Sequence, residues 1–248
     1  MNFESVGSPL CKIINTTHKT APIVSISEKE NEARYPFNEL QLKGEEQFQV
    51  IPNPKTEREV IYITAPSGSG KSWWTKRYCD EYRKLYKKRP IYLFSSISED
   101  SSIDSIKGLK RIKLSPELIN EPIEAKDFTD SLVIFDDTDV ISDKVIKNKV
   151  NSILNSILET GRHFNVSVCY TSHIACAGND TKRILNEAHF TVIFPKTAGN
   201  RSLKYLLDGY LGLDKHQIAK IKSLKGRWIC ISKTFPRVVI SEQEIYIL

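Results

Sequence analysis

The sequence predicts a three-layer α/β fold in which helices flank a central, mainly parallel sheet. Three observations predict it: short apolar runs alternate with longer mixed segments from Glu59 onward, a Gly/Ser-rich turn joins one such run to a helical stretch, and a second run ends in two adjacent aspartates. Parallel strands buried on both faces read as near-continuous apolar runs. Five runs have that character, at 60–64, 91–94, 132–135, 166–170 and 190–194, with helices expected at 71–86, 142–160 and 202–210.

Ahead of this core, residues 1–56 hold β-like pieces at 11–14, 23–26 and 47–51, separated by polar stretches such as 28–32. Pro52-Asn53-Pro54 is a natural break, so a small β-rich N-terminal extension (1–56) is expected before the main domain (57–248). Beyond Lys225-Gly226, strands at 227–232 and 238–241 flank Thr234-Phe235-Pro236-Arg237, and a last apolar segment covers 245–248. A C-terminal β hairpin added to the sheet is the expectation.

A chain of 248 residues with 40% hydrophobic content can bury a large core. Its formal charge of +6 suits a polyanionic partner and is also common in proteins without one. The cysteines at 11, 79, 169, 176 and 230 form no CxxC pair, which argues against a zinc ribbon or a disulfide framework and for a reducing compartment. No stretch reads as a signal peptide or a transmembrane segment, so a soluble, intracellular protein is expected.

Ala65-Pro66-Ser67-Gly68-Ser69-Gly70-Lys71-Ser72 follows a predicted strand and opens a predicted helix, the context a phosphate-binding P-loop needs. Gly68 and Gly70 permit backbone angles that let successive N–H groups point at phosphate oxygens, and Ser67 and Ser69 complete the loop. The helix beginning near Lys71 adds its positive dipole end. Lys71 is expected to reach the β- and γ-phosphates of ATP, and the Ser72 hydroxyl to ligate Mg2+. Ala65 stands where the usual pattern has Gly, a mild change.

The run 131–137 is an apolar strand ending in Asp136 and Asp137, placed downstream of the P-loop as a Walker B element would be. Asp136 is expected to hold the magnesium, and Asp137 to act as the base that activates an attacking water. The bland alternative is a buried strand emerging at an acidic turn, since Asp139 and Asp143 follow. The strand starting at Val166 ends in a polar tip, Thr171-Ser172-His173, which in a parallel sheet faces the ligand. Arg162 is the candidate for stabilising charge on the transferred phosphate, from its own site or a neighbour's, with Arg183 and Arg201 as competitors.

These residues resemble the genome-packaging ATPases of large double-stranded DNA viruses, poxvirus type, within the FtsK/HerA group of P-loop motors. The resemblance spans about 60–196 and rests on 65–72, on 132–137 and above all on Thr160-Gly161-Arg162-His163-Phe164-Asn165-Val166-Ser167-Val168. It implies the ASCE type of P-loop NTPase fold, ATP and Mg2+ as cofactors, and translocation of viral double-stranded DNA into a capsid by a homo-oligomeric ring. It further implies a capsid or portal-vertex partner and a place at the viral assembly site in the host cytoplasm or in the virion. Where the family has a glutamine that senses the γ-phosphate, this chain has His173.

The Lys76-Arg77, Arg83-Lys84 and Lys87-Lys88-Arg89 clusters are candidate DNA contacts or simply a solvated helix face. Trp74, Tyr78, Tyr82 and Tyr86 lie at i, i+4 spacing and are expected in the core rather than stacked on bases. Two other functions compete: a P-loop nucleoside or nucleotide kinase, and a non-catalytic ATP-binding assembly scaffold. The paired acids favour hydrolysis over both.

Overall fold

The computed structural model describes residues 1–29, 32–176 and 178–248; within the polar stretch 28–32, positions 30 and 31 lie outside the described residues. The chain divides into two compact units, one of residues 1–55 with 189–248 and one of residues 56–188.

In the first unit, β1 (Ser8–Ile14) lies between β2 (Ile23–Ile26) and β4 (Gln47–Val50), both antiparallel to it. Each covers one of the β-like pieces read from the sequence. The short β3 (Glu39–Gln41) was not expected, because its Glu-Leu-Gln has one apolar residue and offers no alternation to read.

The second unit is a parallel sheet of five strands. In chain order they are β5 (Val60–Thr64), β6 (Ile91–Ser95), β7 (Leu109–Ile112), β8 (Leu132–Asp136) and β9 (Ser167–Ser172). Pairing runs β5-β9-β8-β6-β7, parallel throughout. The four strands expected here match within two residues at each end, and β5, β8 and β9 are buried along their whole length. The edge strand β7, Leu-Lys-Arg-Ile, escaped sequence reading because two of its four residues are charged, as sheet edges often are.

Helix α1 (Lys71–Leu85) follows β5, and its expected aromatic stripe is core: Trp74, Tyr78 and Tyr82 are 4%, 2% and 1% exposed. The buried Tyr78 hydroxyl donates to Glu59 at 2.6 Å, satisfying the one polar atom of that ring. On the other face, Lys76 pairs with Asp80 and Lys84 with Glu81, while Arg83 donates to the carbonyls of Lys107 and Arg89. These partners are spent on the fold; Lys87 and Lys88 remain exposed.

The short α2 (Glu117–Asn120) precedes β8, and α3 (Lys144–Thr160) follows it. Asp143 caps α3, accepting from the N–H groups of Val145 and Ile146. At the other end the Gly161 N–H donates to the Ile157 carbonyl, and the buried Arg58 donates to that carbonyl and to that of Leu158 at 2.7 and 2.8 Å, in the turn where a helix runs out of backbone donors. The turn into β9 is tight. A Cβ on Gly161 would sit 3.1 Å from Ile157, 3.2 Å from Arg58 and 3.3 Å from Val166, and Asn165 adopts a left-handed φ of 54°. Helix α4 (Asn179–Glu187) closes this unit.

The chain then completes the first unit with β10 (Phe190–Ile193), α5 (Asn200–Tyr205), a π-helical turn over Leu206–Tyr210, α6 (Lys215–Ser223), β11 (Ile229–Ser232), β12 (Val238–Ser241) and β13 (Glu244–Ile247). The expected C-terminal hairpin is β11–β12, extended by β13, and β3 pairs antiparallel with β13. Against expectation, β10 pairs antiparallel with β11; a short apolar run has no signal for direction. Helix α6 was also unexpected, although its Asp214-to-Gln217 capping box is a sequence-level start signal.

Candidate active site

In a parallel sheet all strands finish at one edge, and β9 lies between β5 and β8, so three neighbouring carboxyl ends bring their next residues together. After β5 the chain enters the P-loop with Gly68 at φ 74° and Gly70 at φ 111°, the left-handed region that a Cβ disfavours. No atom lies within 4 Å of where a Cβ on Gly68 would sit, so conformation and not crowding calls for glycine there. Ser67 is exposed and Ser69 buried within this loop.

Lys71, 6% exposed, is folded toward the strand tips. Its Nζ donates to the Ala65 carbonyl at 2.9 Å, lies 3.1 Å from Nδ1 of His173 and 3.8 Å from Oδ1 of Asp137. Nε2 of His173 is 2.9 Å from Oδ2 of Asp137. An ammonium has only protons to give, so Nδ1 must accept and the ring proton sits on Nε2, donated to Asp137. His173 thus joins the P-loop lysine to the second acid of the pair.

Asp136, 2% exposed at the end of β8, accepts from Ser95 and from Thr171, each at 2.9 Å. Burial first, then the neighbouring charge of Asp137, pushes its carboxyl above the usual range, partly offset by those two hydroxyls. Asp137 takes a left-handed φ of 47°, which aspartate tolerates better than most residues. Its N–H donates to Thr171 Oγ1 at 3.0 Å, which holds the turn and aims the carboxylate at Lys71 and His173. The Ser72 hydroxyl donates to Asp100 at 2.8 Å, and Ser172 to Asp139 at 2.8 Å.

The structure therefore brings together Lys71, Ser72, Asp136, Asp137 and His173. It adds Ser95, Asp100, Thr171 and Asp139 as their partners. Of these, Thr171 lies in the polar tip of the strand starting at Val166; Ser95 was legible only as the polar residue ending an apolar run, and no motif marks Asp100. The donors offered to a cation, the Ser72 hydroxyl and the Asp136 carboxylate, are all oxygen, the chemistry magnesium requires. The P-loop backbone and Lys71 suit its phosphate partners, so these residues fit a magnesium nucleotide.

Arg162 is elsewhere. It stands in the 3-10 turn Gly161–Phe164 ahead of β9, at the amino edge of the sheet, 70% exposed and ion-paired with Glu57. Arg183, on α4, pairs with Glu159 of α3, and Arg201 is exposed on α5. None of the three arginines is bonded to the residues gathered around Lys71.

The fold is that of the P-loop NTPases. The chain belongs to one family with uncharacterized protein V3 of Sputnik virophage, to which it is 38% identical over 246 residues, covering 98% of this chain and 96% of that protein. No family model matches the chain. Among solved structures it is similar to the pCW3 conjugation coupling protein TcpA, with a TM-score of 0.51 at 10% identity, over 90% of this chain and 73% of that one. B204, the DNA-packaging ATPase of Sulfolobus Turreted Icosahedral Virus, superposes with a TM-score of 0.49 at 16% identity, over 75% of this chain and 98% of that one. At 10% identity the likeness to TcpA speaks for the fold alone. Among the described residues no helix is long and apolar enough to cross a membrane.

Proposed function

We propose that this protein is an ATP-hydrolysing motor that moves viral double-stranded DNA into a capsid. The observation that carries the reading is the meeting of Lys71, His173 and Asp137 at the carboxyl edge of the sheet, beside a buried magnesium-type acid. In this reading the backbone of residues 67–72 and Lys71 hold the ATP phosphates, Ser72 and Asp136 hold Mg2+, and Asp137 takes the proton of the attacking water. Bound magnesium supplies charge neutralisation at the phosphates.

His173 supports the assignment in place of the glutamine that the packaging ATPases use. A neutral imidazole presents one donor and one acceptor, as an amide does, and its bond to Asp137 lets a change at the phosphates reach the base directly. The poxvirus-type affiliation draws its support from the 160–168 stretch. Much of that stretch serves the α3–β9 turn, while Arg162 faces solvent, where it can complete the site of a neighbouring copy in a homo-oligomeric ring. Relationship to a virophage protein fits action at a viral assembly site, with a capsid or portal-vertex protein as docking partner.

The test is ATP hydrolysis with and without linear double-stranded DNA, for the native protein and for Lys71→Ala, Asp137→Asn and Arg162→Ala. Stimulation by DNA is expected, with the rate cut by about 10²–10⁴ in Asp137→Asn and at least as much in Lys71→Ala. Arg162→Ala should lose the assembled, DNA-stimulated rate while keeping nucleotide affinity. Hydrolysis indifferent to DNA of any form would remove the motor and leave an ATPase; phosphate transfer to a nucleoside would replace it by a kinase.

A further inference from the structure

Asp100 lies in the loop that leaves β6, and more of its bonding is organised than a surface loop requires. Its Oδ1 accepts from the N–H groups of Ser102 and Ile103 at 2.8 and 2.9 Å, and its own N–H donates to Asp104 at 2.8 Å. Arg111, on β7, grips the same loop through Asp104 at 2.6 Å and the Ile97 carbonyl at 2.8 Å, and Ile103 is fully buried beneath it. This leaves Oδ2, which receives the Ser72 hydroxyl at 2.8 Å.

Asp136 already accepts from Ser95 and Thr171, and the Ser72 hydroxyl donates to Asp100 instead. A serine hydroxyl has one proton and two lone pairs. When it donates to Asp100, the lone pairs are turned away from Asp100 and become the ligand face of the oxygen.

Resting on the nucleotide reading above, we propose that Asp100 is a positioning residue of the magnesium–nucleotide site: it accepts the Ser72 hydrogen bond and so orients the Ser72 oxygen as a cation ligand. Through it, the order of loop 96–105 and the capture of the cation are linked. Outer partners of this kind set ligand orientation, and their loss costs metal affinity while the ligand itself remains.

The test is binding of a fluorescent, non-hydrolysable ATP analogue to the full chain, in EDTA and in Mg2+, for the native protein, Asp100→Asn, Ser72→Ala and the double variant. Asparagine keeps Oδ1 for the two loop amides but puts an N–H₂ where Oδ2 accepted, so the turn survives and the acceptor is lost. Asp100→Asn should match native affinity in EDTA and lose about ten- to a hundredfold of the gain that Mg2+ brings. Ser72→Ala should lose as much, and the double variant no more than Ser72→Ala alone. A native gain in Asp100→Asn overturns the proposal, as do a larger gain, an equal loss in EDTA, and additive losses in the double variant. A native protein that binds no analogue under either condition overturns the nucleotide reading itself.

Discussion

At the carboxyl edge of the parallel sheet, Lys71, Asp136, Asp137, Thr171 and Ser172 are each 6% exposed or less, and Asp136 and Asp137 are partnered largely by other side chains. At the amino edge of the same sheet, Arg162 and Glu57 are 70% and 55% exposed, and the buried cation there, Arg58, serves backbone carbonyls. Both edges follow from one set of strands, yet they bury polar groups for different reasons. Arg58 and Gly161 complete a helix end that would otherwise leave carbonyls unpaired, a requirement of folding. The acids at the carboxyl edge meet no such requirement, and burying two adjacent carboxylates works against stability. A cost of that sort is expected where chemistry needs it.

The comparison breaks first, if it breaks, at Thr171. Its one hydroxyl proton is shared between Asp136 at 2.9 Å and Asp137 at 3.2 Å and its oxygen accepts the Asp137 N–H, so Thr171→Val takes the partner from a buried amide and from one Asp136 oxygen. A loss of about 1–3 kcal/mol is expected, seen as a drop of several degrees in Tm by differential scanning fluorimetry, together with loss of hydrolysis. Gly161→Ala should cost less, about 1 kcal/mol from crowding against Ile157, Arg58 and Val166. Because this turn is at the amino edge, nucleotide affinity of the folded variant should stay native; weakened binding would mean that the two edges are not independent.

The smallest effect is a change of sign. The Asp136 pKa is raised in the folded protein by burial and by Asp137, so the folded state holds that proton more tightly than the unfolded chain does. Its contribution to stability is therefore full below the unfolded carboxylate range and is lost as pH rises through the raised folded value. Asp136→Asn cannot ionise, so in magnesium-free buffer its Tm relative to the native protein should rise as pH goes from about 4 to about 7. A difference that stays flat with pH would show that this carboxylate carries no such penalty.

Legibility followed the range of the interactions. Strands β5, β6, β8 and β9 announced themselves because each is an apolar run complete in itself. Strands β3 and β7 did not, being short or charged, and β10 and β11 were both visible while their antiparallel pairing was not. The P-loop and the acid pair were legible as contiguous residues whose types suit their task. Asp100 was not, because acids in a serine-rich loop look alike until one of them faces Ser72.

What the sequence by itself determined is the machinery that is local: glycines where the P-loop turns left-handed, a lysine and a serine opening α1, and two aspartates ending a buried strand. Only the tertiary structure decided that His173 stands between Lys71 and Asp137, that Thr171 reaches both acids, that Asp100 accepts from the Ser72 hydroxyl, and that Arg162 lies at the opposite edge. The physical reason is that side-chain type and backbone preference act over a few residues. Which distant tips meet depends instead on strand order, set by packing of the whole sheet against its helices.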